Sequence, residues 1–307
     1  MNPTMVAAII YGSIFGIMSM GLTVTYLTTK VPNFAYGSLV TVGIYASFTL
    51  ARVNKLNPYM TIPFAFLFGG VAAVGIYVLV MKPLMRRGSS LVTLMIATLA
   101  VDTVFVGLIN IYADYLTFRY HLIDDKLFVT LSGDFSFLGE RGLLFSAPAA
   151  LVLTTVGLYL LLTKTKFGIS TRASVENASL ARTLGINVDR VYLVSWFLAG
   201  GLAGVSGPFY ALDLGGSTDV GSLLIVEIFA ASVLGGLSSV YGAMIGGLLV
   251  GFTEVMGASL GGQLVGSWFF AYQRGIPLVI MIVTLLMLPQ GLVSMKWHKF
   301  IPKRKRQ

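Results

Sequence analysis

Cysteine is absent from this 307-residue chain, and histidine is nearly so, with His121 and His298 the only two. The first absence excludes disulfides and thiolate metal sites. Two histidines so far apart give no reason to expect a metal site of another kind. Charge is scarce as well: 11% of the residues are Asp, Glu, Lys or Arg, against roughly a quarter in a soluble domain. No Gly-x-x-x-x-Gly-Lys-Ser/Thr loop occurs, so the chain has no such phosphate cradle with which to hydrolyse ATP itself. His-Glu-x-x-His, Gly-x-Ser-x-Gly and paired-cysteine patterns are missing too. No catalytic residue, metal or cofactor is assigned.

What the chain has is apolar surface. With 56% hydrophobic residues and a mean hydropathy of +0.85, it belongs in a membrane. The net charge of +9 does not call for a nucleic acid partner, because membrane proteins retain Lys and Arg on their cytoplasmic side. Spanning helices need roughly 17–25 mostly apolar residues. Suitable stretches run over about 4–28, 34–51, 60–81, 91–113, 143–163, 190–209, 222–237, 240–258 and 275–293. The first begins MNPTMVAAII, without the basic segment of a signal peptide. The expected fold is all-α, a polytopic bundle of about eight or nine spans. A re-entrant segment, if there is one, falls within 222–258.

Basic residues set the orientation. Lys82, Arg86 and Arg87 follow the third stretch, and Lys164, Lys166, Arg172, Arg182 and Arg190 follow the fifth. Lys296, Lys299, Lys303, Arg304, Lys305 and Arg306 crowd the end. Between the fourth and fifth stretches, Asp114, Asp124, Asp125, Asp134 and Glu140 outnumber Arg119, Lys126 and Arg141. The positive-inside rule then assigns 82–90, 164–190 and the tail to the cytoplasm, with Arg52 and Lys55 as a mild violation outside. The organisation is a transmembrane domain over 1–295, with an outer loop at 114–142 and an inner loop at 164–190, then a basic cytoplasmic tail at 296–307. Phe118, Tyr120, Phe128, Phe135 and Phe137 suit the membrane–water boundary.

The inner loop reads as a shaped knob. Ala173, Asn177, Leu180, Ala181 and Leu184 share one helical face. Ser170 or Thr171 can cap its start, and Gly185 can close its end with Ile186 folded back over Ala181. Asn187 can cap the next helix, with Asp189 in its first turn. The Ala173–Leu180–Leu184 stripe is expected to pack on the bundle, leaving Arg172 and Glu176 to the cytoplasm.

Three acids, Asp102, Glu227 and Glu254, fall inside apolar stretches. A charge at mid-membrane costs about 2.5–3.5 kcal/mol on insertion scales, so each should face protein or water. They can couple protons or cations, receive an amine, or serve as structural carboxyls. No stretch carries a clear Lys or Arg partner for them. Pro32 breaks the chain between the first two stretches, and Asn33 can cap the second of them. Glycines at 12/16, 200/204, 242/246 and 247/251 allow close helix packing, and the runs GLAGVSGP and VLGGLSSVYGAMIGG can also act as hinges.

The run FGISTRASVENASLARTLGINVDRVYLVSWFLAGGLAGVSG resembles the permease subunits of branched-chain amino acid ABC importers, the LivH/LivM type. That family's ATPase-docking loop is matched here by Gly168, Arg172, Ala173, Glu176, Asn177, Ala181, Gly185 and Ile186. Asn33, Phe34, Ala35, Tyr36 and Gly37 look like its Asn-Phe-Ala-His-Gly signature, with Tyr36 where histidine is usual. VLGGLSSVYGAMIGGLLVG resembles its glycine-rich second-half signature and includes Gly235, Gly236 and Gly242. The resemblance covers essentially the whole chain. It implies a permease subunit in the plasma (inner) membrane of a prokaryote, with ATP-binding cassette subunits, a second homologous permease and an extracytoplasmic substrate-binding protein as partners. Asn33, Phe34, Tyr36, Gly37, Gly235, Gly236 and Gly242 are then candidates for the pathway or its gate. Relatives that carry urea or short amides give one alternative. An ion-coupled secondary transporter using Asp102 and Glu227 gives another, from a different class.

Overall fold

The computed structural model describes residues 2–120, 126–128, 131, 133–288, 291 and 292. His121, Asp124, Asp125, His298 and the 296–307 tail lie outside these described residues, as does the side chain of Phe128. Each of the nine apolar stretches contains a helix. In chain order the helices are α1 (Pro3–Thr29), α2 (Tyr36–Arg52), α3 (Ile62–Ile76), α4 (Lys82–Arg86), α5 (Leu91–Tyr120), α6 (Leu143–Lys164), α7 (Lys166–Glu176), α8 (Ala178–Thr183), α9 (Val188–Asp213), α10 (Val220–Gly235), α11 (Val240–Val265) and α12 (Gly275–Met287). A 3-10 turn at Pro58–Thr61 and a π turn at Tyr77–Met81 join α3 and α4 into one rod from Pro58 to Arg86. Pro83 explains the π turn: it lacks an N–H and its ring crowds the carbonyl one turn back, so the helix widens ahead of it.

Among the described residues, six helices are long and apolar enough to cross a membrane: α1, the Pro58–Arg86 rod, α5, α6, α9 and α11. The other three, α2, α10 and α12, hold 17, 16 and 13 residues. At 1.5 Å per residue these reach about 20–26 Å, short of a hydrocarbon core of roughly 30 Å. The long helices divide by burial. α1 and α9 form the buried centre, whereas α5 and α6 turn most of their apolar side chains outward, as lipid-facing helices do.

Glycine makes the centre possible. Gly204 of α9 lies against the Ala65 backbone of α3 on one side and receives Gly43 of α2 on another, so neither position has room for a Cβ. Gly247 and Gly251 of α11 meet the backbone of α1 at Gly16 and Gly12 in the same way. In lipid, where burial of apolar area gives no drive, this close packing is a main source of cohesion.

The two ends of the bundle differ in chemistry as expected from the charges. At one end Lys82 and Arg86 of α4 meet Asp189 of α9 beside α7 and α8. At the other, Arg141 pairs with Asp134 and Asp213, and Tyr59 donates to Asp134. Short ladders pair β1 (Leu127–Phe128) with β4 (Gly216–Ser217), and β2 (Ser136–Phe137) with β3 (Glu140–Arg141). The outer loop differs from expectation at its start, because α5 stays helical to Tyr120.

A second difference concerns where helices are interrupted. In the sequence, 222–258 is open to a re-entrant segment or to spanning helices. There the chain forms a tight hairpin of two helices, with Gly236 in a left-handed conformation (φ 99°) ending α10 and the Ser239 hydroxyl capping α11. The marked break lies earlier. α1 ends at Lys30, and a non-helical segment then carries the chain back along the bundle to α2. The Tyr36 hydroxyl fills the space that a Cβ on Gly21 would need, about 12 Å short of the end of α1. α2 thus starts inside the bundle, not at its rim.

Candidate functional site

The inner knob is two helices, not the single one its spacing suggested. Thr165 caps α7, its hydroxyl accepting from the Gly168 N–H at 3.4 Å. Ser170 and Thr171 lie within α7 and cap nothing. Asn177 is extended (φ −155°), ends α7, and accepts the Leu180 N–H at 3.0 Å to start α8. Its short amide can cap locally, and that competes with continuing the helix. The end of α8 follows expectation. Gly185 is left-handed (φ 81°), its N–H donates to the Arg182 carbonyl, and the Ile186 N–H reaches the Ala181 carbonyl at 3.0 Å. Asn187 then caps α9 through the Arg190 N–H.

The break at Asn177 overturns the expected apolar stripe. Ala181 is buried, and Ala173 is half-buried against the core, but Leu180 and Leu184 are 57% and 72% exposed. With the helix broken, residues on either side of 177 no longer share a face. Arg172 donates to the Leu162 carbonyl at 2.7 Å and so ties α7 to the end of α6. Gly168 is buried against the Leu162 backbone, where no Cβ fits. Arg172 and Glu176 also line a cleft of about 380 Å³ whose opposite wall is Ser238–Tyr241, the α10–α11 hairpin. Gly235 packs on the Gly242 backbone within that hairpin. The structure therefore brings the knob residues and the glycine-rich run together.

The segment after Lys30 forms a second group. Asn33 is fully buried, yet neither its amide nitrogen nor its oxygen has a partner, and it is not the expected cap: Ala35 holds that position with no side-chain bond. The Phe34 N–H donates to Thr98 Oγ1, and the Phe34 ring packs on Phe229 at 5.1 Å. Tyr36 is buried with its hydroxyl unpaired. Gly37 meets Gly221, backbone to backbone, so the first turns of α2 and α10 touch. Asp102 of α5 fastens both, accepting from Ser38 of α2 and from Ser222 of α10 at 2.8 Å.

The other two acids are apart from Asp102 and near each other. Tyr11 donates to Glu227 at 3.4 Å, and Gln273 donates to Glu254 at 3.2 Å. Arg274 Nε stands 3.9 Å from Glu227 Oε1. No apolar stretch supplies this cation. Arg274 comes from the turn just before α12, and it reaches inward. Among the described residues no group of three or more metal-ligating side chains forms.

Comparison with known proteins places this arrangement. The family described as "Branched-chain amino acid transport system / permease component" matches residues 4–285. The chain belongs to this permease family. A relative in Methanocaldococcus jannaschii, called a probable branched-chain amino acid transport permease protein LivH, is 43% identical over 95% of this chain and 92% of its own. BraD of Pseudomonas aeruginosa, a high-affinity branched-chain amino acid transport system permease protein, is 25% identical over 78% and 80%. LivH of Escherichia coli is 24% identical over 92% of each chain. A solved structure, PsaBC from Streptococcus pneumoniae in complex with Fab, shares the fold at a TM-score of 0.50 and 14% identity, covering 92% of this chain and 91% of that one. For a permease of this family, sequence reasoning missed Ser38, Ser222, Arg274 and Tyr11. Each pairs with an acid far away in sequence, and nothing local announces such a pairing.

Proposed function

We propose that this chain is the permease subunit of an ABC importer for branched-chain amino acids in the plasma (inner) membrane of a prokaryote. It pairs with a second, related permease, and ATP-binding cassette subunits dock on the knob formed by α7 and α8. A substrate-binding protein delivers to the opposite end, near Arg141 and Tyr59. The chain carries out no chemistry of its own. It supplies a pathway whose two openings alternate while ATP is hydrolysed on the partner.

The observation that carries the reading is the placement of the knob. Gly168, Arg172, Ala173, Glu176, Asn177, Ala181, Gly185 and Ile186 make a compact element with caps at each end, tied to α6 through Arg172 and to α4 through Asp189. A rigid element of this kind converts closure of an ATPase dimer into movement of helices. The cleft it shares with Ser238–Tyr241 gives that movement a route to α10 and α11.

Substitution at the knob tests the proposal. Gly185→Val forces a β-branched side chain into a left-handed conformation, costing about 1–2 kcal/mol locally. Glu176→Trp places bulk at the mouth of the cleft. Both variants should reach the membrane at normal levels yet lose ATPase co-purification or ATP-driven leucine uptake. Normal uptake in both would falsify the coupling role. Wild-type complex that moves urea or acetamide and no branched-chain amino acid would leave the coupling intact and overturn the substrate.

A further inference from the structure

The site around Asp102 has more capacity than holding three helices together requires. Asp102 is half-buried, and Ser38 and Ser222, the third residues of α2 and α10, donate to it. Two helix N-termini thus converge on one carboxylate, whose two oxygens accept from the two serine hydroxyls. At the break before α2, Asn33 is fully buried with both amide ends unpaired. The Phe34 N–H bonds to Thr98, one turn before Asp102 on α5, so this segment runs along the same face of α5.

A groove of about 400 Å³ lies along the same two helices. Its walls are Val42, Tyr45 and Ala46 of α2, with Phe105, Leu108 and Ile109 of α5. Val42 is four residues beyond Ser38, and Phe105 is three beyond Asp102. Both therefore continue the faces that hold the carboxylate, one helical turn further along. At its far end the groove is crossed by a 2.8 Å hydrogen bond between Thr49 and Tyr112. The volume falls within the roughly 300–1,000 Å³ usual for small-molecule sites; the lining is almost wholly apolar, with Thr49 and Tyr112 at one end and Asp102 one helical turn beyond the other.

We propose that Asp102 and this groove form a subsite for an aliphatic amino acid in transit, resting on the reading of the chain as an amino-acid permease. The carboxylate takes the substrate's α-ammonium, and the groove between α2 and α5 takes its branched side chain. Charge complementarity decides the occupant. A lipid tail would fill the groove equally well but has no use for a carboxylate one turn beyond its inner end, and the two serine hydroxyls on that carboxylate carry no opposite charge. An ammonium group beside an aliphatic chain matches both ends of the site.

Direct binding tests this without the soluble binding protein. The permease complex with its ATPase, in nanodiscs, should bind tritiated leucine saturably. 3-Methylbutylamine, which keeps the ammonium and the branched chain, should compete; 4-methylpentanoate, which lacks the ammonium, should compete at least tenfold less well. Asp102→Asn should weaken leucine binding at least tenfold. Ile109→Trp, which fills the groove and leaves the carboxylate alone, should weaken leucine more than glycine; it keeps the test open if the Asp102 variant fails to assemble. Equal competition by the two analogues overturns the ammonium assignment, and unchanged leucine binding in Ile109→Trp leaves the groove to lipid. Absence of leucine binding in a complex that still imports leucine sinks the subsite alone. Failure of that complex to import any branched-chain amino acid sinks the functional reading beneath it.

Discussion

At the scale of single residues, the glycines separate into two kinds that composition cannot tell apart. A Cβ on Gly204 would run into the Ala65 carbonyl, whereas Gly107 and Gly157 have nothing within 4 Å. Gly204→Ala should therefore lower the thermal midpoint of the purified protein by several degrees, because two backbones must separate to admit the methyl group. Gly107→Ala should leave the midpoint unchanged or raise it, since glycine in an exposed helix interior costs roughly 0.5–1 kcal/mol relative to alanine. Thermal unfolding in detergent reads both, and equal losses would mean that propensity, not packing, sets these positions. The pairs 12/16, 200/204, 242/246 and 247/251 were legible because their spacing puts them on one face. Gly43 and Gly221 carry no such spacing, and each meets a glycine on another helix. The same limit hid Ser38 and Ser222. A side chain's local sequence tells what it can donate but not which helix will stand opposite.

At the scale of elements, the caps between α8 and α9 were readable, whereas those that start α2 and α7, and the continuity of the knob, were not. Gly185, Ile186 and Asn187 act as their neighbours in sequence imply, since each bond spans only a few residues. Asn177 could equally extend a helix or cap a new one, and the cap prevailed. The start of α2 was obscured for another reason: hydropathy reports that a stretch is apolar but not the depth at which it begins. The knob's orientation depends on Asp189, whose carboxylate has Arg86 at 2.8 Å, Lys82 at 3.2 Å and Arg182 at 3.9 Å. With that side chain 32% exposed, pairs of this kind are worth about 0–1 kcal/mol each, so folding does not rest on them. Asp189→Asn instead leaves the cations of α4 and α8 facing one another without their anion. Stability should change by about 1 kcal/mol or less, while the number of leucines imported per ATP hydrolysed falls several-fold. Parallel uptake and ATPase assays measure that ratio; an unchanged ratio would assign the cluster to surface charge alone.

At the scale of the whole molecule, the question is what drives transport, and the buried acids put it most sharply. Glu227 and Glu254 are each 1% exposed, with Tyr11, Gln273 and Arg274 around them. In a secondary transporter such a cluster would exchange protons or cations with the two sides, and removing either carboxylate would stop uptake. In an ABC permease the same residues hold α10, α11 and the turn before α12 together. Hydrogen bonds from neutral amides could then replace much of their work. Import into vesicles loaded with ATP should therefore persist after a protonophore and sodium removal have collapsed the ion gradients, and should stop when ATP is withheld. Glu227→Gln should keep that ATP dependence, with any loss appearing as reduced thermal stability and partly restored by Arg274→Gln, which removes the unbalanced cation. Uptake that runs on a gradient without ATP, and is abolished by Glu227→Gln, would make this cluster the engine. The knob would then be an ordinary surface helix pair. The family match over 4–285, and a knob that faces the α10–α11 hairpin across a shared cleft, both argue for a partner ATPase as the source of work.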